Sequence, residues 1–161
     1  MHRNRNGNGE KIKQKNKDMQ DEKRDRMCKI AILCGSKALV IKRSNEVWYH
    51  PGRWDVPGGA AEPGESNQGA AARETFEETG FEPDSSELSL VNSQWKIRNG
   101  KPVDRFCFSL HVDEEFEPKL SFEHSEYSWL EVDDILDDDS LNLPSFYKDC
   151  LKSCLVNVEL L

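Results

Sequence analysis

The 161-residue chain has no apolar run long enough to cross a bilayer, and its first residues lack the apolar stretch of a secretory signal. No membrane association is expected. It also lacks a disulfide framework: Cys28, Cys34, Cys107, Cys150 and Cys154 are odd in number and irregular in spacing. Free thiols in a reducing compartment, the cytoplasm, are the expectation. Positive charge is scarce, with a net charge of −8. Residues 1–26 hold nine Lys/Arg against five Asp/Glu, so the remainder stands at −12. So acidic a body makes a poor surface for a polyanion, and no stable nucleic-acid complex is expected. Any phosphate substrate must meet a metal ion or a few placed basic groups.

Residues 1–26 are also nearly devoid of apolar side chains and cannot offset the entropy of ordering, so they read as a disordered basic tail. Residues 27–161 then form one domain, long enough to bury roughly two thirds of the surface its unfolded chain exposes. No repeat is visible, and the sequence leaves the oligomeric state open.

Cys28–Cys34 and Ala38–Ile41 are short branched apolar runs around Gly35-Ser36 and read as two strands about a tight turn. The prolines and glycines between Trp48 and Gly59 forbid a helix and mark a shaped loop, with an extended piece at Trp54–Val56. Ser66 to Thr79 is helical in composition, and Gly80 stands where a helix ends. Leu88–Ile97 and Val103–Val112 read as strands joined through Asn99-Gly100, a hairpin signal. A strand at Tyr127–Val132, a short helical turn or loop over Asp133–Ser140 and a helix over Ser145–Leu155 opened by Pro144 complete the chain. Interleaved strands and helices predict a single α/β domain with its sheet covered by helices.

With Glu74 as zero on a helical wheel, Glu77 falls at about −60° and Glu78 at about +40°. Three carboxylates on one arc repel by a few tenths of a kcal/mol per pair, and Arg73 offsets only part of this. The arrangement asks for a cation. Carboxylate oxygens suit Mg²⁺ or Mn²⁺, which typically bridge protein carboxylates to substrate phosphates, polarise a phosphoryl oxygen and acidify a bound water.

The full stretch Gly59-Ala-Ala-Glu-Pro-Gly-Glu65-Ser-Asn-Gln-Gly-Ala-Ala-Ala-Arg73-Glu74-Thr-Phe-Glu77-Glu78-Thr-Gly80-Phe81 resembles the Nudix box. Its seven fixed identities would match by chance on the order of once in 10⁸ trials. Thr75 departs from the aliphatic residue usual there; its hydroxyl is expected to bond back to the Ala71 carbonyl. Gly52-Arg-Trp-Asp-Val-Pro-Gly-Gly59 and Glu123-His-Ser-Glu-Tyr-Ser-Trp129 extend the likeness over about residues 27–155.

The resemblance implies an α/β/α sandwich with a mixed β-sheet and the box folded as loop–helix–loop. It implies metal-dependent hydrolysis of a phosphoanhydride bond in a nucleotide-like small molecule, a nucleoside diphosphate linked to another group. The compact chain favours a nucleoside triphosphate, including oxidised guanine nucleotides. Glu74, Glu77 and Glu78 match the metal-binding glutamates and Gly59 a backbone carbonyl ligand, while Arg73 matches the residue that orients a glutamate. Glu65 supports the loop. Glu123 matches a further ligand or general base, with Glu126 as its rival. The alternative is a non-catalytic Nudix-fold module that binds or senses a nucleotide.

Other signals are weaker. Cys150 and Cys154 lie one turn apart but have no second pair, so no zinc site is expected. His50, His111 and His124 are scattered and read as structural. Trp48, Tyr49, Trp95, Phe106 and Phe108 suit either base stacking or strand packing. Arg98, Lys101 and Arg105 suit either phosphate contacts or hairpin surface.

Overall fold

A computed structural model describes Lys11 and residues 24–159. The first two branched runs form β1 (Asp25–Cys34) and β2 (Lys37–Arg43), paired from Cys34↔Lys37 across the two-residue turn. The shaped loop yields two very short strands, β3 (Trp54–Asp55) and β4 (Gly58–Ala60). Helix α1 (Asn67–Thr79) follows. Then come β5 (Ser89–Arg98) and β6 (Lys101–His111), with Asn99 and Gly100 both at positive φ in the turn between them. The chain closes with β7 (His124–Glu131), α2 (Val132–Asp137), a 3₁₀ turn at Asp139–Leu141 and α3 (Ser145–Glu159).

All seven strands join one sheet in the order β3-β2-β1-β6-β5, with β4 added to β1 and β7 to β2. The β1–β6 pair is parallel and the others antiparallel, so the sheet is mixed, as expected. Central β1 is covered on both faces, which explains its apolar run Ile30–Leu33. Its Cys28, Ile30 and Ile32 pack with Ala70 and Ala71 of α1, while Ala31 and Leu33 pack with Ile135 of α2 and Phe146, Cys150 and Leu151 of α3. The result is a sandwich with α1 on one face and α2 and α3 on the other.

Three details differ from expectation. β1 begins at Asp25, two residues before Met27, and Arg24 donates to Asp104 at 2.7 Å, so the end of the presumed tail belongs to the fold. Residues 1–10 and 12–23, which hold the rest of it, lie outside the described residues. β7 starts at His124 rather than Tyr127, and a register shift between Lys42 and Arg43 sets His124 opposite Arg43. Thr75 is fully buried and its hydroxyl has no partner; the bond onto the helix backbone comes instead from Thr79 Oγ1 to the Thr75 carbonyl, at 2.6 Å. The β-branched Thr75 is used for packing.

Candidate active site

Ser66 caps α1 by accepting from the Gly69 N–H at 3.0 Å, and Gly80 closes it in a left-handed conformation. With Ala70 and Ala71 against the sheet, the helix phase is fixed, and the three glutamates divide by depth. Glu78 is 5% exposed, Glu74 is half-buried, and the Glu77 side chain is 55% exposed.

Strand β4 lies beside this helix. A Cβ at Gly58, whose φ is 129°, would run into the backbone of Cys28 and Lys29; one at Gly59 would stand 2.6 Å from the Glu74 carboxylate. At Gly58 only a glycine lets the strand pass β1, and at Gly59 a side chain would displace the Glu74 carboxylate. The Gly58 N–H donates to Glu78 Oε1 at 2.8 Å.

Arg73 organises the helix's outer acids. Its Nε donates to Glu65 Oε2 at 2.8 Å, and its Nη1 to Glu74 at 3.0 Å and Glu77 at 3.1 Å. Its Nη2 reaches the Ala60 carbonyl and Glu65 Oε1, both at 3.1 Å. Glu65 also accepts from the Glu62 N–H, at 3.0 Å, closing the loop before the helix. Hydrogen bonds from Arg73 and Glu62 hold its carboxyl down at about 2.

Glu78 is the least ordinary acid in the site. Burial pushes its carboxyl up to about 8, although Lys29 and the Gly58 N–H pull the other way. His124 Nε2 lies 3.4 Å from Glu78 Oε2, and His124 Nδ1 is buried without a partner. Burial first, then Lys29 and Arg43, lowers the imidazole to about 4. Near neutral pH the contact is therefore a neutral acid against a neutral imidazole, not an ion pair. Burial raises Glu74 as well, against the pull of Arg73.

The loop bearing Glu123 is tied to the same place. Lys119 N–H donates to the Thr79 carbonyl at 2.8 Å, Ser121 N–H to that of Glu78 at 3.2 Å, and Ser44 N–H to that of Glu123 at 2.8 Å. Ligand atoms of Glu78, Glu123 and His124 consequently come within 4.8 Å of one another. Glu126, the rival of Glu123, lies elsewhere: it is exposed on β7 and pairs with Lys42 at 3.3 Å.

The site opens into a cleft of about 740 Å³. Gly59, Glu74, Glu78 and Glu123 line it, whereas Glu77 and Arg73 stand outside its lining. Its other walls carry Arg43, Arg53, Lys96, Arg98 and Arg105, with Tyr49 and His50. Beneath them the buried Lys29 donates to Asp55 at 2.8 Å and to the Val56 carbonyl at 3.2 Å. Burial opposes both charges, but each outweighs it for the other: Asp55 keeps Lys29 above its ordinary value, and Lys29 keeps Asp55 below.

Lys29, Asp55, Arg43, Arg53 and His124 were not expected at the site. A lone lysine inside the apolar run Cys28–Cys34 was the available signal for the first. Tyr49 lines the cleft, Phe108 is core, Phe106 packs against the core, and Trp48 and Trp95 are exposed. Cys150 and Cys154 are free and buried, and among the described residues no cysteine joins a metal-sized cluster.

A model of the NUDIX domain matches residues 26–150, and the chain belongs to the NUDIX family. Bis(5′-nucleosyl)-tetraphosphatase (asymmetrical) from Sus scrofa is 35% identical over 101 residues, 60% of this chain and 65% of that protein. Diphosphoinositol polyphosphate phosphohydrolase 3-alpha from Mus musculus is 33% identical over 87 residues, 54% of this chain and 52% of that protein. The chain thus spans less than two thirds of the length of either relative. The crystal structure of a MutT protein from Methanosarcina mazei Go1 superposes with a TM-score of 0.67 at 29% identity, covering 79% of this chain and 89% of that one. The α/β/α fold and the family implied by the box are both borne out.

Proposed function

We propose that this chain is a pyrophosphohydrolase that uses Mg²⁺ or Mn²⁺ to hydrolyse a phosphoanhydride bond in a nucleoside diphosphate linked to another group. Nucleoside triphosphates, including oxidised guanine nucleotides, lie at the short end of that range. The observation that carries this reading is that Glu74, Glu78 and Glu123 line the same cleft as Arg43, Arg53, Lys96, Arg98 and Arg105.

The residues present fit a hard divalent ion. Their donors are carboxylate oxygens and the Gly59 carbonyl, and the buried Glu78 lacks enough nearby positive charge to stay ionised at neutral pH. Glu74, Glu78 and Gly59 would hold the ion, with Glu77 joining from the solvent side of the same helix. When bound, it neutralises phosphoryl charge and makes a water more acidic.

The chain's own residues do the rest. Arg73 fixes the carboxylates of Glu74 and Glu77. Glu123 accepts the proton of the water that attacks phosphorus, while the anhydride P–O bond breaks and the leaving phosphate departs with its electrons. Lys29 and Asp55 hold the floor against β3.

Five free cysteines suit a reducing cytoplasm, which we propose as its compartment, and among the described residues no helix is long and apolar enough to cross a membrane. The partner is a small nucleotide-like molecule, with residues 1–23 outside the hydrolytic domain. Incubating a nucleotide panel with Mg²⁺ and identifying the products tests the reading. Cleavage at a phosphoanhydride supports it; nucleotide binding with no product released would make the chain a binding module.

A further inference from the structure

Lys96 and Arg98 of β5 lie on the sheet face that also carries Arg105 of β6, because the register pairs Gln94 with Arg105 and Lys96 with Val103. Arg43 ends β2, and Arg53 precedes β3. Among the described residues, Arg43, Lys96, Arg98 and Arg105 have no carboxylate at ion-pair distance. Arg53 has only a 3.7 Å contact to Asp55, which Lys29 already holds at 2.8 Å, and Arg53 Nε is buried without a partner.

Aromatic faces support these cations without neutralising them. Arg98 sits 4.4 Å over the Tyr49 ring, and Arg105 lies 5.8 Å from the Tyr147 ring centre. Their mutual repulsion shows in their neighbours. Burial first, then Arg105, Arg98 and Arg53, holds Lys96 below the ordinary lysine range. Burial, then Arg53, Arg43 and Arg98, likewise lowers His50. In a chain with a net charge of −8, four described cations without a carboxylate partner, together with Arg53, share one cleft, and low-dielectric walls concentrate such a field on an anion.

Position separates the β5 side of this wall from the acids, whereas Arg43, opposite His124, and Arg53, beside Asp55, border them. The row Gln94↔Arg105↔Met27↔Ala60 crosses the sheet from β5 to β4. Three strand spacings put β5 roughly 14 Å from β4, beyond the reach of a single phosphate held beside Gly59 and Glu74.

On the reading of this cleft as the hydrolytic site, we propose that Lys96, Arg98 and Arg105 form a second anion subsite, with Arg43 and Arg53 lying between it and the acids. It takes phosphate groups remote from the attacked anhydride and makes the enzyme selective for polyphosphorylated substrates over short ones. Those remote phosphates belong either to a linear chain of four or more or to a phosphorylated ring, since both present the same dense charge.

The test measures kcat/KM with Mg²⁺ for adenosine 5′-tetraphosphate, ATP and a diphosphorylated inositol polyphosphate, in the wild type and in a Lys96→Gln/Arg98→Gln variant. Wild type should favour at least one polyphosphorylated substrate over ATP by tenfold or more. The variant should reduce that ratio about tenfold, mainly through KM, and Lys96→Arg/Arg98→Lys should restore most of it. Which substrate leads distinguishes chain from ring. Equal losses on all three, or an unchanged ratio, would overturn the proposal. Inorganic tripolyphosphate titrated calorimetrically in EDTA reads the subsite without turnover: wild type should bind it several-fold more tightly than the glutamine variant. Such binding with no hydrolysis of any substrate would leave the subsite standing and the proposed hydrolysis refuted. No difference in binding would refute the subsite alone.

Discussion

Replacing Glu78 by glutamine should stabilise the metal-free protein at alkaline pH while removing its activity. In the fold this carboxyl ionises near 8, against an ordinary value of 4.5, because burial disfavours its charge. Between those values the folded state keeps a proton that the unfolded state has released. The contribution of Glu78 to stability is therefore fully present below pH 4.5 and is lost as pH rises to about 8. The full loss is about 5 kcal/mol, and relaxation and water entry around the ionised group reduce the expected effect to about 2 kcal/mol. Glutamine reproduces the protonated acid: its oxygen can accept the Gly58 N–H and its amide can face His124 Nε2. Urea denaturation in EDTA should show the variant more stable by about 2 kcal/mol at pH 9 and within about 0.5 kcal/mol of wild type at pH 5. Loss of stability at pH 9 would refute the reasoning. An equal gain at both pH values would place the effect in packing rather than ionisation.

Asp55→Ala leaves the Lys29 ammonium buried and unpaired, and should cost about 3–5 kcal/mol in the same denaturation assay; a cost below about 1 kcal/mol would show that Lys29 finds another partner. Arg73→Gln frees Glu65, Glu74 and Glu77 together, so kcat should fall roughly tenfold to a hundredfold while the melting temperature moves by only a few degrees. A fall in stability without a fall in kcat would make Arg73 merely structural. Gly59→Ala drives a methyl group onto the Glu74 carboxylate and should raise the Mg²⁺ concentration for half-maximal rate about tenfold or more; an unchanged requirement would remove Glu74 from the ion site. Deleting residues 1–23 should leave kcat/KM within about twofold, since the cut spares the Arg24–Asp104 bond and β1, and a large loss would place the tail in the site.

Local patterns were legible in the sequence. Ser66 and Gly80 bound α1 as expected, the Asn99-Gly100 turn forms the β5–β6 hairpin, and Glu74 and Glu78 face the cleft. These rest on interactions within a few residues. Contacts between distant segments were not legible. His124 reaches Glu78 only because β7 begins earlier than its apolar pattern suggests and shifts register beside Arg43. Lys29 and Asp55 are 26 positions apart and meet only in the folded sheet. The wheel placed the three glutamates on one arc but not their depths, which follow from how Ala70 and Ala71 seat α1. The sequence left Arg98 and Arg105 open between phosphate contacts and hairpin surface, because only the folded sheet turns one face of the hairpin into a cleft wall. Lys101, opposite Arg98 at the tip, stays outside that lining.

The most direct measurement is phosphate or pyrophosphate release from the preferred substrate, with Mg²⁺ and with EDTA, by wild type and by Glu78→Gln side by side. Product from wild type with Mg²⁺ alone, and at least a hundredfold less from the variant, is the expected result. Comparable release in EDTA, or from the variant at saturating Mg²⁺, would contradict hydrolysis by a carboxylate-held divalent ion.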